Sequence, residues 1–587
     1  MEIPTPTILC DKCHHTFSPS DLNESIRQTV PDEALHSSYI PTETERAQTL
    51  DHLRNEEPLL QRYDQEVHRL CALVAKLKAE RNLLRQRIED RRYSISVMRK
   101  MPVELWHKVF SYVCAAYDYT LVVRADKIVA VTRDLSHVCH RWREIVTGLP
   151  HVWSSVLIEF PSYPRHIKDC RPLLDTYLQN AKDAPLTLCI EGPLDTASIS
   201  DSGIEGESYM GETATSTLRM LMQHLPHCES LELDLTPHLL SIAPTPTGPS
   251  PSISLPQLHT FYNIVDMSDE ENLTENNRWF WDAIRFNAPN LSIVETDDLR
   301  ELRLFPCAQL TTLHLRHVGN VNGLLHMIDG APELRTLTID DIDDFDDTDL
   351  TAIPVVSSLR DLTILSNLTP TTAIADLFSF LTLPCLKVIT LKGDYRQDPG
   401  ITEGDWAASL VGMLRRYSDE SPCCVKKISL DLGMEDDFTD DFLNDILQCC
   451  PKLTNLELKL YPNEKAPVSL HTGKLLSDLT ILVTEADATT STTQPRPILA
   501  PKLKKLKIWE SVQTLSLDGA EAIVRMAESR AANRVQTKGS GATALSRISF
   551  VIEEINGVQG VNHCNMVFGS RLRALEEGGT KCQIRCT

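Results

Sequence analysis

Apolar residues recur along this chain with two different periods, and the shorter one begins at Pro58. Its seam consists of Leu60, Tyr63, Val67, Leu70, Val74, Leu77, Leu84 and Ile88, at alternating steps of three and four that only Arg81 interrupts. This heptad spacing predicts a coiled-coil-like helix over residues 58–97, with Pro58 in its first turn. The seam can pair with a second chain or fold back on its own domain. The helix ends in a basic segment, Lys76–Lys100, which is either a solvated face or a contact for an acidic partner.

The residues before this helix, 1–57, are polar and weakly patterned, and are predicted to be largely disordered. Cys10 and Cys13 form a Cys-x-x-Cys pair, which is half of a zinc site. A second pair at a usual spacing is missing, so no metal is expected.

The longer period fills the second part of the chain, where a Leu-x-x-Leu-x-Leu frame returns in segments such as "APELRTLTI" and "CPKLTNLEL". The first positions of the frame are Leu310, Leu334, Leu359, Leu386, Val425, Leu453 and Leu503, with weaker copies around Leu231, Leu258, Leu291 and Ile548. Most steps are 24 to 28 residues, and the interval from 453 to 503 leaves room for a copy near Leu479. A unit of this length buries its apolar strand face only by stacking on its neighbours. Residues 156–587 are therefore predicted to form an irregular leucine-rich-repeat solenoid of the α/β class.

Several stretches interrupt this solenoid. Pro, Ser, Thr and Gly predict disordered loops near residues 193–216, 242–256 and 486–497. Two acidic clusters, Asp340–Asp349 and Met434–Asp441, each follow a strand of the frame in the same direction and are predicted to meet at one rim. Such a rim either selects a basic partner or only provides solubility and helix caps.

Two short segments between the helix and the repeats carry more apolar surface than a small helical unit can cover. In Met101–Val113, Pro102 suits a helix start, Leu105, Val109 and Val113 form one stripe, and Trp106 and Phe110 lie beside it. In Leu135–Val146, Asp134 is the expected cap of a second helix that carries Val138, Cys139 and Trp142. Excess apolar surface usually marks a partner site.

The order of these residues resembles the F-box. The matching runs are Met-Pro at 101–102, Phe-Ser-Tyr at 110–112, Val-Cys-x-x-Trp at 138–142 and Trp153. The resemblance covers residues 98–155, with Met101 in place of the usual Leu and an insertion of about twenty residues between the two segments. The flanking heptad helix and leucine-rich repeats are also similar to the layout of many F-box proteins.

The resemblance implies a small all-α F-box that docks on the Skp adaptor of a cullin-containing ubiquitin ligase, while the repeats bind a protein substrate. The residues that it places at the adaptor are Met101, Pro102, Leu105, Val109, Val138, Cys139 and Trp142. Trp153 is expected to anchor the join to the first repeat.

Composition and missing motifs limit the partners, cellular locations and activities that are expected for this chain. The net charge of −23 disfavours nucleic acid and anionic membranes as partners. The 17 cysteines, without an evident signal peptide, fit reduced thiols in a cytoplasmic or nuclear protein. Phosphate-binding and hydrolase motifs are missing and only 23 residues are Gly, so neither an enzyme nor a cofactor is expected. The alternative to a ligase subunit is a leucine-rich-repeat scaffold that acts outside ubiquitin ligation.

Overall fold

The computed structural model describes most of the chain. The described residues are 7–10, 15–17, 39–124, 127–160, 169–192, 212–235, 253–264, 275–342, 354–366, 372–393, 406–416, 423–433, 440–461, 479–480, 499–511, 521, 524–530, 545–553, 569–571, 573–577 and 579–586. The chain divides into two compact units, Met1–Leu105 and Trp106–Thr587.

The first unit is built on one long helix. A short antiparallel hairpin, β1 (Thr7–Cys10) and β2 (His15–Phe17), precedes it. Helix α1 (Glu43–Ser94) has 52 residues, and a 3₁₀ turn (Val97–Lys100) follows it.

The predicted start of this helix at Pro58 is wrong. The helix begins at Glu43, where the Thr42 side chain accepts from the Glu45 amide and the Glu45 carboxylate accepts from the Thr42 amide. This capping box fixes the first turn 15 residues before Pro58, which lies inside the helix. Residues 43–57 are therefore helical rather than part of a disordered segment, because a cap and good helix formers set the start independently of the apolar seam.

The second unit alternates strands with helices. The strands are β3 (Leu121–Val123), β4 (Ile128–Ala130), β5 (Ser155–Glu159), β6 (Leu186–Glu191), β7 (Cys228–Asp234), β8 (Thr260–Asn263), β9 (Ile293–Asp298), β10 (Thr312–Val318), β11 (Thr336–Ile342), β12 (Val355–Val356), β13 (Asp361–Ser366), β14 (Leu381–Thr382), β15 (Val388–Gly393), β16 (Lys427–Gly433), β17 (Asn455–Tyr461), β18 (Lys505–Ser511), β19 (Arg547–Glu553) and β20 (Lys581–Cys586). The helices are α2 (Val103–Cys114), which begins in the first unit, α3 (Val131–Val138), α4 (His140–Thr147), α5 (Arg171–Ala181), α6 (Glu212–Gln223), α7 (Glu275–Asn287), α8 (Val321–Asp329), α9 (Thr372–Phe380), α10 (Trp406–Arg415) and α11 (Asp440–Cys449). Short 3₁₀ turns lie at Pro150–Val152, Leu225–His227, Leu299–Leu304 and Cys307–Gln309.

Apart from β3 and β4, the strands of the main sheet follow chain order, and the sheet runs β4-β3-β5-β6-β7-β8-β9-β10-β11-β13-β15-β16-β17-β18-β19-β20. From β5 onward the pairs are parallel, and β12 with β14 makes a separate short ladder. Equivalent positions of successive repeats face each other, as in Leu313 with Leu337 and Leu337 with Leu362. The second unit is thus a parallel-strand sheet that resembles a leucine-rich-repeat solenoid, and the repeat prediction is confirmed.

The first position of the leucine frame is a buried residue just before each strand. Each first position of the frame lies two residues before its strand and is buried, from Leu310 before β10 to Leu503 before β18. The weaker copies near Leu231, Leu258, Leu291 and Ile548 also lie on or immediately before strands. Helices between the strands bury one face, as Leu324, Leu325 and Ile328 of α8 do. Each repeat shares its core with its neighbours, which is the reason for the stacking.

The intervening copy predicted near Leu479 does not form a strand between its neighbours. Strand β17 pairs directly with β18, with Leu456 facing Leu506. Leu479 is buried instead, and its carbonyl accepts a hydrogen bond from the Arg530 Nε at 2.9 Å. Strand β18 therefore follows β17 directly in the sheet.

The predicted loops and acidic clusters fall largely outside the described residues. Residues 193–211, 242–252, 343–349, 434–439 and 486–497 belong to this part. The first predicted loop ends earlier than expected, because α6 begins at Glu212. Asp340 and Asp341 belong to strand β11 rather than to a loop.

Candidate protein-docking surfaces

Helix α2 is two-sided. Trp106, Phe110 and Cys114, at steps of four, are buried on its inner side. Leu105 and Val109, each one residue before a buried aromatic, are 47% and 42% exposed. Met101 is half-buried and Pro102 is exposed immediately before the helix, whose Leu105 amide donates to the Pro102 carbonyl. The sequence pattern is therefore resolved into an aromatic inner side and an aliphatic outer side.

The inner side of α2 packs on α4 through three aromatic rings. The ring centroid of Trp142 lies 4.9 Å from those of both Trp106 and Phe110, and the latter two are 5.3 Å apart. Trp142, which the resemblance places at the adaptor, is half-buried in this cluster. Its indole therefore holds α4 against α2, because offset and edge-on ring pairs stabilise each other beyond the area that they bury.

The second predicted helix is interrupted at Cys139. Its backbone is extended there (φ −162°, ψ 168°), and the chain forms two helices, α3 and α4, in place of one. The Cys139 thiol caps α4 by accepting from the Trp142 amide at 3.4 Å. Asp134 lies inside α3 rather than at its cap. The thiol accepts a hydrogen bond from a backbone N–H that has no partner within the first turn of α4. The apolar periodicity of the sequence continues through the break and therefore does not reveal it.

The break leaves an apolar side chain in solvent. Val138, the last residue of α3, is 59% exposed, and Tyr112 of α2 is 82% exposed. Leu105, Val109 and Tyr112 lie on one side of α2 because they are four and three residues apart, and we group them with Val138 as the outer patch. The concentration of exposed apolar side chains on one small helical unit is typical of a docking surface.

The insertion between the two predicted segments attaches these helices to the solenoid. It contains β3 and β4, an antiparallel pair, and β3 also pairs in parallel with β5. The Tyr177 hydroxyl of α5 donates to the Thr120 carbonyl at 3.1 Å, and the buried Thr132 hydroxyl donates to the Val152 carbonyl. The insertion thereby covers the open edge of the parallel sheet, as terminal repeats must.

Trp153 lies at the same junction. Its indole N–H donates to the Val146 carbonyl at 2.9 Å, and its ring meets that of Tyr177 edge-on with centroids 4.9 Å apart. The predicted boundary at residue 155 cuts strand β5, whose Val156 pairs with Leu121 of the insertion. The helices and the first repeat therefore share one hydrogen-bonded framework.

A second surface is the solvent side of the sheet, which we call the strand face. Its first strands are acidic, since Glu159, Glu191 and Asp234 occupy equivalent positions on β5, β6 and β7. Its last strands are basic, since Lys505, Arg547 and Lys581 occupy equivalent positions on β18, β19 and β20. Burial raises the pKa values of Glu191 and Asp234, while Arg124 of the insertion lies within 3.4 Å of Glu159 and Glu191. A surface polarised in this way orients a charged protein partner along the solenoid.

The middle of the strand face holds a network around His314. Its Nδ1 lies 3.1 Å from Glu295 and its Nε2 lies 2.7 Å from Asp340, and Arg316 also binds Glu295 at 3.0 Å. The hydrogen bond with Glu295 is the main reason that the pKa of His314 is raised to about 8. The same bond lowers the pKa of the Glu295 carboxyl.

We expect the stability of the middle repeats to fall as pH rises through about 8. The unfolded His314 titrates near 6.5, so its stabilising contribution is complete below that pH and is lost above the folded pKa of about 8. Its side chain is 28% exposed, so screening leaves an effect of about 1 kcal/mol. Urea unfolding followed between pH 6 and 9 should show this slope, and His314→Gln should flatten it. An equal slope in both proteins would contradict the assignment.

Metal and membrane sites are not found among the described residues. No helix in this part is both long and apolar enough to cross a bilayer. No three His, Cys, Asp or Glu side chains there form a metal-ligand group. Cys13, the second half of the predicted pair, lies outside the described residues.

The comparisons with known proteins give no family. No family model and no curated protein matches the chain. Among solved structures, the chain is similar to an internalin from Listeria monocytogenes, with 10% identity over 62% of this chain and 77% of that chain, at a TM-score of 0.24.

Proposed function

We propose that this protein is the substrate-recognition subunit of a Skp–cullin–F-box ubiquitin ligase. In this proposal the helices α2 to α4 dock on the Skp adaptor, and through it on a cullin, while the strand face binds a protein substrate. The chain itself is a non-catalytic component that needs no cofactor or metal and works in the cytoplasm or nucleus. The observation that carries the proposal is the two-sided helix α2.

The two sides of α2 have separate tasks. Trp106, Phe110 and Trp142 hold the helical unit together, which leaves Leu105, Val109 and Val138 free of any role in its core. These three residues are among those that the F-box resemblance places at the adaptor. Cys139 supports the surface indirectly, because its thiol caps α4 and its extended backbone sets the position of Val138. Burial of these aliphatic side chains in an interface would contribute to the binding free energy through the apolar area removed from water.

The alternative is a scaffold that binds proteins outside ubiquitin ligation. The polarised strand face favours it, since that surface can bind a charged protein whether or not the helices dock on an adaptor. Adaptor binding by the full chain separates the two proposals.

The test uses the full chain, because the helices share β3, β5 and Trp153 contacts with the solenoid. We expect Val109→Asp and Val138→Asp each to weaken binding of the purified Skp adaptor by about 30-fold or more, since a charge would be buried in an apolar interface. Both side chains are exposed, so thermal stability should change little. Isothermal titration with the adaptor measures the effect.

The matched control is Phe286→Asp, an exposed apolar residue of α7 in the solenoid. Its adaptor affinity should stay within about threefold of the parent chain. If the parent chain fails to bind, the scaffold alternative holds. If it binds and all three variants bind equally well, the outer patch is not the docking surface.

A further inference from the structure

The long helix α1 presents an apolar seam that the described residues of its own unit do not cover. None of its 52 residues is buried. The aliphatic side chains of the seam are between 42% and 63% exposed, namely Leu53, Leu60, Val67, Val74, Leu77, Leu84 and Ile88. A helix of this length spans about 78 Å, and a heptad seam over most of it is typical of a two-stranded coiled coil.

The charges of α1 are unevenly distributed along its axis. Residues 43–68 hold seven acids and three bases, a net charge of −4. Residues 69–94 hold eight bases and three acids, a net charge of +5. Two copies placed side by side in the same direction would bring like-charged halves together. Two copies in opposite directions bring each acidic half against a basic half, which favours the antiparallel arrangement.

The register follows from the helix ends. Full antiparallel overlap of Glu43–Ser94 pairs residues whose numbers sum to 137, as 43 and 94 do. This overlap places Leu53 opposite Leu84, Leu60 opposite Leu77, and Val67 opposite Leu70. Tyr63 is then opposite Val74. Ile88 falls opposite Thr49 at the end of the seam, while the apolar residues from Leu53 to Leu84 pair with one another, so greatest overlap and apolar pairing agree over this range.

The polar positions of the seam agree with the same register. Between Leu53 and Ile88 the seam contains two charged residues, Glu56 and Arg81. Their numbers also sum to 137, so each Arg81 faces the Glu56 of the other copy, twice in the pair. In a parallel pair Arg81 would face Arg81 and Glu56 would face Glu56. A polar residue in a seam is a known determinant of register and partner choice.

We propose that α1 of one copy pairs with α1 of a second copy as an antiparallel coiled coil in this register. The pairing joins two complete chains and is independent of adaptor docking. A dimer of this form would carry the outer patch and the strand face twice. The partner that covers the seam of α1 is a second copy of the same chain, because the charge pattern and the pairing of Glu56 with Arg81 are self-complementary.

The first test is a charge exchange in the full-length protein, measured by sedimentation velocity at micromolar concentration. The parent chain should sediment at twice its mass of 66.0 kDa. Arg81→Glu and Glu56→Arg should each weaken the dimer at least 10-fold, because like charges then meet in two layers. The double variant should restore affinity to within about threefold. Lys76→Glu, on the outer side of α1, is the matched control and should leave the dimer intact.

The second test fixes the direction of the helices. A photo-reactive amino acid at Leu60 is introduced into chains of normal and ¹⁵N isotope content, which are then mixed and cross-linked. Links between light and heavy chains from residue 60 to the peptide that contains Leu77 support the proposal. A monomeric parent chain, links between two peptides that contain residue 60, or a double variant as weak as the single ones would overturn it.

Discussion

Trp106→Ala is expected to unfold the helical unit α2–α4 while the central repeats stay folded. Trp106 is 2% exposed and contacts both Phe110 and Trp142, so its removal leaves a cavity that two short helices cannot close. Large-to-small changes at such positions cost about 3–5 kcal/mol. Because repeat proteins lose structure locally, the loss should be confined to this end of the chain. Hydrogen exchange of residues 103–147, compared with that of β10 and β11, measures it.

Trp106→Phe is the matched control for this prediction. The Trp106 indole N–H is buried without a hydrogen-bond partner among the described residues, so phenylalanine removes no hydrogen bond while it retains a ring. We expect a loss below about 1.5 kcal/mol. Both variants should lower adaptor affinity only in proportion to the unfolding of the unit. Normal exchange protection of residues 103–147 in Trp106→Ala would show that the aromatic cluster is not what holds α2 to α4.

Arg530→Met should destabilise the part of the solenoid around β18. The Arg530 side chain is fully buried and donates to the carbonyls of Leu479, Leu499 and Ala500 at 2.9, 2.8 and 3.2 Å. Burial lowers its pKa to about 10, so it remains charged at neutral pH. Methionine fills much of the space but leaves three buried carbonyls without this donor, at a cost of about 1–3 kcal/mol for each that water cannot reach. We expect a total loss of about 3–5 kcal/mol.

The measurement is hydrogen exchange of β17 and β18, which should accelerate while β5 to β9 remain protected. Arg525→Met is the control, because Arg525 belongs to the same stretch but its side chain is 71% exposed and pairs with Glu521 at the surface. It should change stability by less than about 0.5 kcal/mol. If the two variants behave alike, the hydrogen bonds of Arg530 to Leu479, Leu499 and Ala500 do not stabilise this part of the solenoid.

The repeats and the helices could be predicted from the sequence to different degrees. The leucine frame predicts the strands β10 to β18 because Leu, Ile and Val at alternating positions have to be buried in every repeat. The strand expected at Leu479 does not lie between β17 and β18, because spacing alone does not distinguish a strand position from another buried leucine. The prediction of a single helix through Cys139 was wrong for a related reason, because the apolar period continues across the break in the backbone.

Three features could be predicted from the order of residues alone, namely the heptad seam of α1, the solenoid of parallel strands and the helical character of the two segments that resemble an F-box. These features depend on local periodicity, which each segment carries alone. Tertiary packing decides that Trp106 is buried while Leu105 is exposed, and that the insertion covers the edge of the sheet. It also decides that β17 and β18 are neighbours. These outcomes depend on contacts between residues that are far apart in the sequence. Local patterns of apolar and polar residues do not specify such contacts, which form only when the whole unit packs.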